Sequence, residues 1–315
     1  MSDFVLTKLQ TNVPFKSMTW VAHTFCNYSC DYCIPDFYDG TYRWLKDYSP
    51  ILKLIKEFRQ DKPLRFDMMG GEPTLWPKFK DFCTELNETG DKTLITYTTN
   101  GSRTINWWKR YDAPTSEVGI TYHPISGADI NHIIEVVKIL SDKGYRVVIW
   151  LMMLPVHFKH TKKVFKKIKK DKLNCIAIPK LVSNWRDSSG DLLSGYTEEM
   201  LQFCKKNKYN NLIYPKQEAK FSHNLLGYDE FNHERQVNVR ELISTRKNSF
   251  RDWMCATGID YIALEANGDI YGSQCKHHGL LGNIKTGYIL PKAPQICRRS
   301  YCNCGSDIEI YKYIK

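Results

Sequence analysis

Apolar residues recur along the first two thirds of the chain in two alternating rhythms. Short runs rich in β-branched and aromatic residues have the composition of strands: MTWVAHT (18–24), LRFDMM (64–69), TLITYTT (93–99), EVGITYH (117–123), RVVIWLMML (146–154) and LNCIAIPK (173–180). Between them SPILKLIKEFRQ, PKFKDFCTELNETG, GADINHIIEVVKILSDKG and KHTKKVFKKIKK place apolar residues at i, i+3, i+4 and i+7, the spacing of one helical face. Strand and helix in strict alternation predict a parallel sheet with covering helices. The six strands predict an α/β fold, an open, partial (β/α)6 barrel over residues 1–210.

The rhythm is lost over 183–250, where SNWRDSSGDLLSGY and NLLGYDEFNHERQVNVRELISTRKNS are polar and irregular. Residues 211–250 read as a connecting region with one or two helices, wrapping the barrel or lining its mouth. From 251 the pattern changes again: YIALEA and DIYGSQ flank Asn267-Gly268, a hairpin signal because a type I′ turn needs two residues with positive φ. Residues 251–315 are therefore expected to form a small cysteine-bearing unit built on a hairpin.

No run of 18 or more apolar residues occurs, and the N-terminus lacks the apolar stretch of a signal peptide, so a cytoplasmic protein without a membrane span is expected. The formal charge of +11 suits an anionic partner such as a phosphorylated substrate. The densest basic run, 159–172, sets Val164, Phe165 and Ile168 on one face among lysines, which is the pattern of a solvated helix. No nucleic-acid-binding motif accompanies it, and nucleic acid is not the expected partner.

Eleven cysteines in such a chain point to metal binding or catalysis, because that compartment keeps thiols reduced. Cys83, Cys175 and Cys204 are scattered and read as buried thiols, whereas Cys26, Cys30 and Cys33 are packed into HTFCNYSCDYC. Their spacing would also fit one helical face. Asn27, Ser29, Asp31 and Pro35 instead favour a loop that follows the first strand and can curl three thiolates around one object, either an iron-sulfur cluster or zinc. For zinc, His23 would complete a Cys3His set. At the end of the next strand, Gly70-Gly71 permits close approach of a ligand and Glu72 adds an anionic group suited to an ammonium.

Taken together, Cys26-x3-Cys30-x2-Cys33 with Tyr32 before the last cysteine, Gly70-Gly71-Glu72-Pro73 ending the second strand and TTNG (98–101) ending the third resemble the radical S-adenosylmethionine (SAM) superfamily. The resemblance implies that the three thiolates bind a 4Fe-4S cluster whose remaining iron is chelated by SAM. It further implies that Gly70, Gly71 and Glu72 hold the methionine ammonium, that Tyr32 lies near the adenine, and that Thr99 and Asn100 face the SAM. Reductive cleavage of SAM to a 5′-deoxyadenosyl radical and hydrogen abstraction from an unactivated C–H bond would follow. An external electron donor such as flavodoxin or ferredoxin would be needed.

The tail resembles the SPASM/Twitch auxiliary-cluster domain: Cys255, Gly268 and Cys275 fall in its order, LLGNIKTG follows, and ICRRSYCNCGSD adds Cys297, Cys302 and Cys304. The interval from Gly268 to Cys275 is longer than is usual there, and five cysteines suffice for one auxiliary 4Fe-4S cluster, not two. Cys255, Cys275 and two of the remaining three would be its ligands. By the same resemblance the outcome is a two-electron oxidation, with radical epimerisation or peptide modification as alternatives. The cluster motif begins too early for a preceding peptide-binding domain, which favours a small-molecule substrate: a sugar, nucleotide or cyclitol. Tyr122, His123 and Lys180 at strand ends, and Arg186, Asp187 and Asp191 in the connecting loop, are candidate polar groups around it. A zinc-bound nucleic-acid-binding protein is the alternative of another class.

Overall fold

Apolar runs flanked by turn residues pair side by side, and a computed structural model shows the pairing for residues 4–12, 14–33, 38–183, 192–207, 225–302 and 304–315. Arg186, Asp187, Asp191 and Pro35 lie outside the described residues. The strands of the first half are β1 (Lys8–Thr11), β2 (Lys16–Val21), β3 (Leu64–Met69), β4 (Thr93–Thr99), β5 (Glu117–Tyr122), β6 (Arg146–Met152) and β7 (Ile176–Lys180). Then follow β8 (Leu225–Tyr228), β9 (Glu234–Val237), β10 (Met254–Cys255), β11 (Tyr261–Leu264), β12 (Asp269–Tyr271), β13 (Leu280–Asn283), β14 (Gly287–Tyr288), β15 (Gln295–Ile296) and β16 (Lys312–Tyr313). The helices are α1 (Ser49–Arg59), α2 (Phe79–Asn87), α3 (Ile105–Lys109), α4 (Ile130–Asp142), α5 (Phe158–Lys170), α6 (Glu198–Asn207), α7 (Val239–Ser244) and α8 (Gly305–Glu309).

Strands β2 to β7 run parallel in chain order, as the strand and helix alternation predicts for an α/β fold. Alternate side chains go to opposite faces. Phe66, Met68, Ile95, Tyr97, Val118 and Ile120 join the faces of α1, α2, α4 and α5 in one apolar core. The basic helix α5 buries Val164, Phe165 and Ile168 in that core, as its periodicity predicts. The other face is polar: Arg65 pairs with Asp67 at 3.5 Å and Arg146 with Glu117 at 3.0 Å.

The hairpin expected at Asn267-Gly268 is β11–β12, but its turn differs from type I′. Only Gly268 takes positive φ (+95°); Asn267 instead uses its side chain, accepting from the Asp269 amide at 2.9 Å. A short polar side chain that bonds its own backbone competes with the left-handed conformation. The hairpin does not stand apart, since β11 pairs in parallel with β2 and places β12, β13 and β14 on the same sheet. Strand β2 is buried at every residue and so gains a neighbour on each edge.

Among the described residues a second sheet has the order β15-β10-β16-β1-β8-β9, which joins the N-terminal strand to the cysteine-rich tail. Sequence reading missed its strands because pieces two to four residues long carry no periodicity. Among the described residues no helix is long and apolar enough to cross a membrane.

Trp20, Phe66, Trp76 and Phe82 close the core beneath the first two helices, with the Trp20 and Phe82 rings 5.0 Å apart. Phe82→Ala is expected to cost about 3–5 kcal/mol. Urea unfolding followed by circular dichroism will show this as a lower midpoint at unchanged slope.

Candidate functional site

The carboxyl ends of β3 to β7 surround a cavity of about 400 Å³. Its geometry begins with two backbones in contact. A Cβ on Gly71 would lie 2.0 Å from the Phe25 carbonyl oxygen, and one on Gly70 would lie 2.4 Å from that of His23. With no side chain there, Gly71 N–H donates to the His23 carbonyl at 2.8 Å and Glu72 N–H to the Phe25 carbonyl at 2.9 Å. Pairing thus continues past the end of β2 and clamps the cysteine loop over the sheet.

Cys26, Cys30 and Cys33 all line the cavity, together with Tyr32, Gly70, Gly71, Thr99, Asn100 and His123. The Cys26 sulfur accepts from the Tyr28 amide at 3.4 Å and from Asn100 Nδ2 at 3.9 Å. Cys30 Sγ lies 3.0 Å from Ser126 Oγ and 3.3 Å from His123 Nδ1. Burial pushes the Cys26 thiol up to about 11 and raises that of Cys30, with hydrogen bonds from Ser126 and Tyr32 opposing the rise. Left alone these thiols keep their protons; a bound metal removes them.

His123 is held neutral, burial lowering its pKa to about 4. Tyr32 is raised, chiefly by burial and then by Cys30, and its Oη shares a hydrogen bond of 2.5 Å with His123 Nδ1. The two rings stack, 5.9 Å apart and 19° from parallel.

Two expected residues stand elsewhere. Glu72 is fully buried and does not line the cavity. Its Oε1 accepts from the Thr74 amide (3.1 Å), Thr74 Oγ1 (2.6 Å) and Thr99 Oγ1 (2.6 Å), and Oε2 accepts from the Asn100 amide at 2.6 Å. Burial raises its pKa while these donors oppose the rise. The carboxylate therefore ties the end of β3 to the end of β4. Tyr122 points into the helix-covered core and shares a hydrogen bond of 2.8 Å with His160 Nε2, because strand parity puts Thr121 and His123 on the cavity side.

Sequence reading missed Thr98, Thr121, Trp150 and Met152, which line the cavity. Strict alternation along β4, β5 and β6 could have found them, but RVVIWLM is apolar on both faces and hides its parity. Lys180 also lines it, its Nζ 5.4 Å from the centre of the Trp150 ring.

His23 does not line the cavity: its Nδ1 accepts from the Phe25 amide at 3.2 Å, and its ring meets Trp44 edge-on at 5.6 Å. Among the described residues no three His, Cys, Asp or Glu side chains close on a single ion, at the first cysteine loop or in the tail.

The second group of cysteines assembles where the tail folds back. Cys255 on β10 packs with Cys297, whose backbone bonds the Trp253 carbonyl and the Asp252 amide. Asp307 accepts from the Cys275 amide at 2.8 Å, and Asn248 Nδ2 donates to the Cys302 carbonyl at 2.9 Å. Cys255 feels the charge of Cys297, Cys297 that of Cys275, and Cys302 those of Cys275 and Cys255. Cys304 occupies the N-cap position of α8, and the charge of Asp307 acts on it. Burial raises the thiols of Cys255, Cys297, Cys302 and Cys304, Cys255 to about 11.

Residues 20–168 match the family model for the radical SAM superfamily. An S-adenosylmethionine-dependent nucleotide dehydratase of Thermoplasmatales archaeon (strain ISO4-H5) is 29% identical over 116 residues, 36% of this chain and 40% of that protein. A GTP 3',8-cyclase of Vibrio vulnificus (strain YJ016) is 27% identical over 121 residues, 34% of this chain and 36% of that protein. The chain thus spans less than half the length of these curated relatives. Among solved structures, native anSMEcpe with bound AdoMet superposes with a TM-score of 0.54 at 16% identity, covering 87% of this chain and 79% of that one. Streptococcus suis SuiB bound to precursor peptide SuiA gives 0.57 at 12%, covering 89% and 65%. At such identities these two show a shared fold.

Gly71→Ala, which forces a methyl group into the Phe25 carbonyl, is expected to force the main chain apart and destabilise the fold, read as a lower urea midpoint by circular dichroism. Burial lowers the His23 pKa from 6.5 to about 4. Below 6.5 the unfolded chain takes up a proton that the folded chain refuses until pH 4, so stability is full above 6.5 and declines by roughly 3 kcal/mol between the two. Urea midpoints across that range will show the decline, and His23→Leu will make it shallower without removing it, because burial lowers His123 to about 4 as well.

Proposed function

We propose, from the match of residues 20–168 to the radical SAM superfamily, that the chain is an enzyme generating a substrate radical on a small anionic molecule of the nucleotide class. The observation that carries this reading is the convergence of Cys26, Cys30 and Cys33 with Gly70, Gly71, Asn100 and Lys180 on one cavity at the strand ends.

Cys26, Cys30 and Cys33 would hold the 4Fe-4S cluster: partly or fully buried thiols, ringed by donors from Tyr28, Ser126 and Asn100, are suited to becoming metal-bound thiolates. When bound there, the cluster and SAM supply a one-electron cleavage of the sulfonium and a 5′-deoxyadenosyl radical. The chain's own residues bind, orient and exclude water. Gly70 and Gly71 leave room against the backbone, and Tyr32, kept protonated and stacked on neutral His123, offers an aromatic wall. Thr99 and Asn100 are fixed by Glu72, which in this reading organises the SAM side of the cavity without touching it.

The substrate would lie deeper, between Trp150, Met152, Thr98 and Thr121, with its anionic group on Lys180. A Lys over an indole presents a purine-sized stacking face beside a phosphate partner. The curated relatives support a nucleotide, since one is named a nucleotide dehydratase and the other a GTP cyclase. Cys255, Cys275, Cys297 and Cys302 would hold one auxiliary 4Fe-4S cluster in the tail, residues 251–315, leaving Cys304 at the N-cap position of α8. Such a cluster, fully ligated, fits an electron acceptor and a two-electron oxidation better than a substrate-binding site. A small flavodoxin or ferredoxin would supply reducing electrons, in the cytoplasm.

Anaerobically reconstituted protein is expected to be brown and to form 5′-deoxyadenosine with SAM and dithionite, while Cys30→Ala forms none; a colourless protein carrying stoichiometric zinc would end the proposal. Over a panel of nucleotides that stimulate turnover, Lys180→Ala should raise KM about tenfold to a hundredfold with a smaller change in kcat, the value of one charge-assisted hydrogen bond.

A further inference from the structure

Lys312 carries no signal in the sequence, yet it occupies the centre of the tail. On β16 it stands directly opposite Cys255 of β10 in antiparallel register. Such partners hold their Cβ atoms about 4.5–5.5 Å apart on one face. The side chain is 1% exposed, and the Phe250 ring lies 4.9 Å from Nζ. Nζ donates to the carbonyls of Asp307 (2.8 Å), Ile308 (2.7 Å) and Ile310 (2.7 Å). Three acceptors engage three N–H donors, which only the ammonium form provides.

A neutral amide could satisfy carbonyls at the end of α8 without the heavy desolvation cost of a buried cation. What the amide could not do is oppose negative charge, and the thiols of Cys255, Cys297 and Cys302 all feel Lys312. A buried anion stands close by, on the residue whose carbonyl takes one of the Lys312 N–H groups. Asp307 is 3% exposed and accepts from the amides of Gln274 (2.9 Å) and Cys275 (2.8 Å), so its carboxylate is fixed where Cys255 and Cys302 feel it.

Resting on the reading of Cys255, Cys275, Cys297 and Cys302 as auxiliary-cluster ligands, we propose that Lys312 and Asp307 set the reduction potential of that cluster, the ammonium raising it and the carboxylate lowering it. A 4Fe-4S centre with four thiolates gains one unit of negative charge on accepting an electron. A fixed cation at the next residue across the sheet favours the reduced form, and a fixed anion favours the oxidised form. Both are positioning residues, since neither is a ligand.

The test uses the full chain with Cys26, Cys30 and Cys33 replaced by Ala, so that the auxiliary cluster is observed alone in an anaerobic potentiometric titration followed by electron paramagnetic resonance. Lys312→Gln, which keeps donors for the carbonyls, should move the midpoint to more negative potential. Lys312→Arg, which keeps the charge, should leave it near the parent value. Asp307→Asn should move it the opposite way, to more positive potential. Coincident midpoints in Lys312→Gln and the parent at equal iron content, or shifts of the same sign in Lys312→Gln and Asp307→Asn, would overturn the proposal. If Lys312→Gln fails to fold by circular dichroism, Asp307→Asn decides alone: a positive shift supports the proposal and an unmoved midpoint refutes it. A parent protein that binds no iron, in place of about four per chain, removes the auxiliary-cluster reading itself and this inference with it, an outcome visible before any potential is measured.

Discussion

Two glycines pressed against a neighbouring backbone are the constraint on which the site depends. Gly70 and Gly71 lie so close to the carbonyls of His23 and Phe25 that no other residue fits without moving main chain. The contact lets the hydrogen bonding of β2 and β3 run on into the loop that bears Cys26, Cys30 and Cys33. Three thiols on a loop would otherwise wander; here the first is pinned within a few residues of a sheet edge. Glu72, next in sequence, carries the same rigidity sideways to Thr99 and Asn100 through hydrogen bonds of 2.6 Å. Rigid placement of ligands by a scaffold, and not by the ligands' own preferences, is what a reactive centre requires.

Much of this was legible in the residues. The six strands and their covering helices follow from apolar periodicity, because a period of two and a period of 3.6 cannot be confused over long segments. The cavity-lining glycines and cysteines were readable because close approach and thiolate chemistry demand those residue types. The surroundings of Glu72 were not legible: a carboxylate at a strand end looks like a ligand, whereas whether its oxygens are already engaged depends on Thr99 and Asn100 arriving from another strand. Tyr122 and Thr121 differ by one position, and a slip of one residue exchanges core for cavity. The second sheet was illegible, since β1, β8, β10 and β16 are short and meet only in three dimensions. Lys312 likewise reads as one lysine among many until its three carbonyls are seen.

Two kinds of polar burial coexist in the molecule. At the first cysteine loop the groups beside Cys30 are neutral, with His123 and Tyr32 sharing one hydrogen bond, while charge stands on Lys180 in the cavity wall and on Glu72 buried behind it. In the tail the buried groups are ions, Lys312 and Asp307, each held by backbone partners. Neutral neighbours leave charge to whatever binds, whereas ionic ones impose a field in advance.

The parallel pairing of β11 with β2 joins Ile262 to Met18 across most of the polypeptide. A ribosome must therefore release nearly the entire chain before the first strand of the parallel sheet finds its second neighbour, and until then one hydrogen-bonding edge of β2 is left open to solvent or to a chaperone.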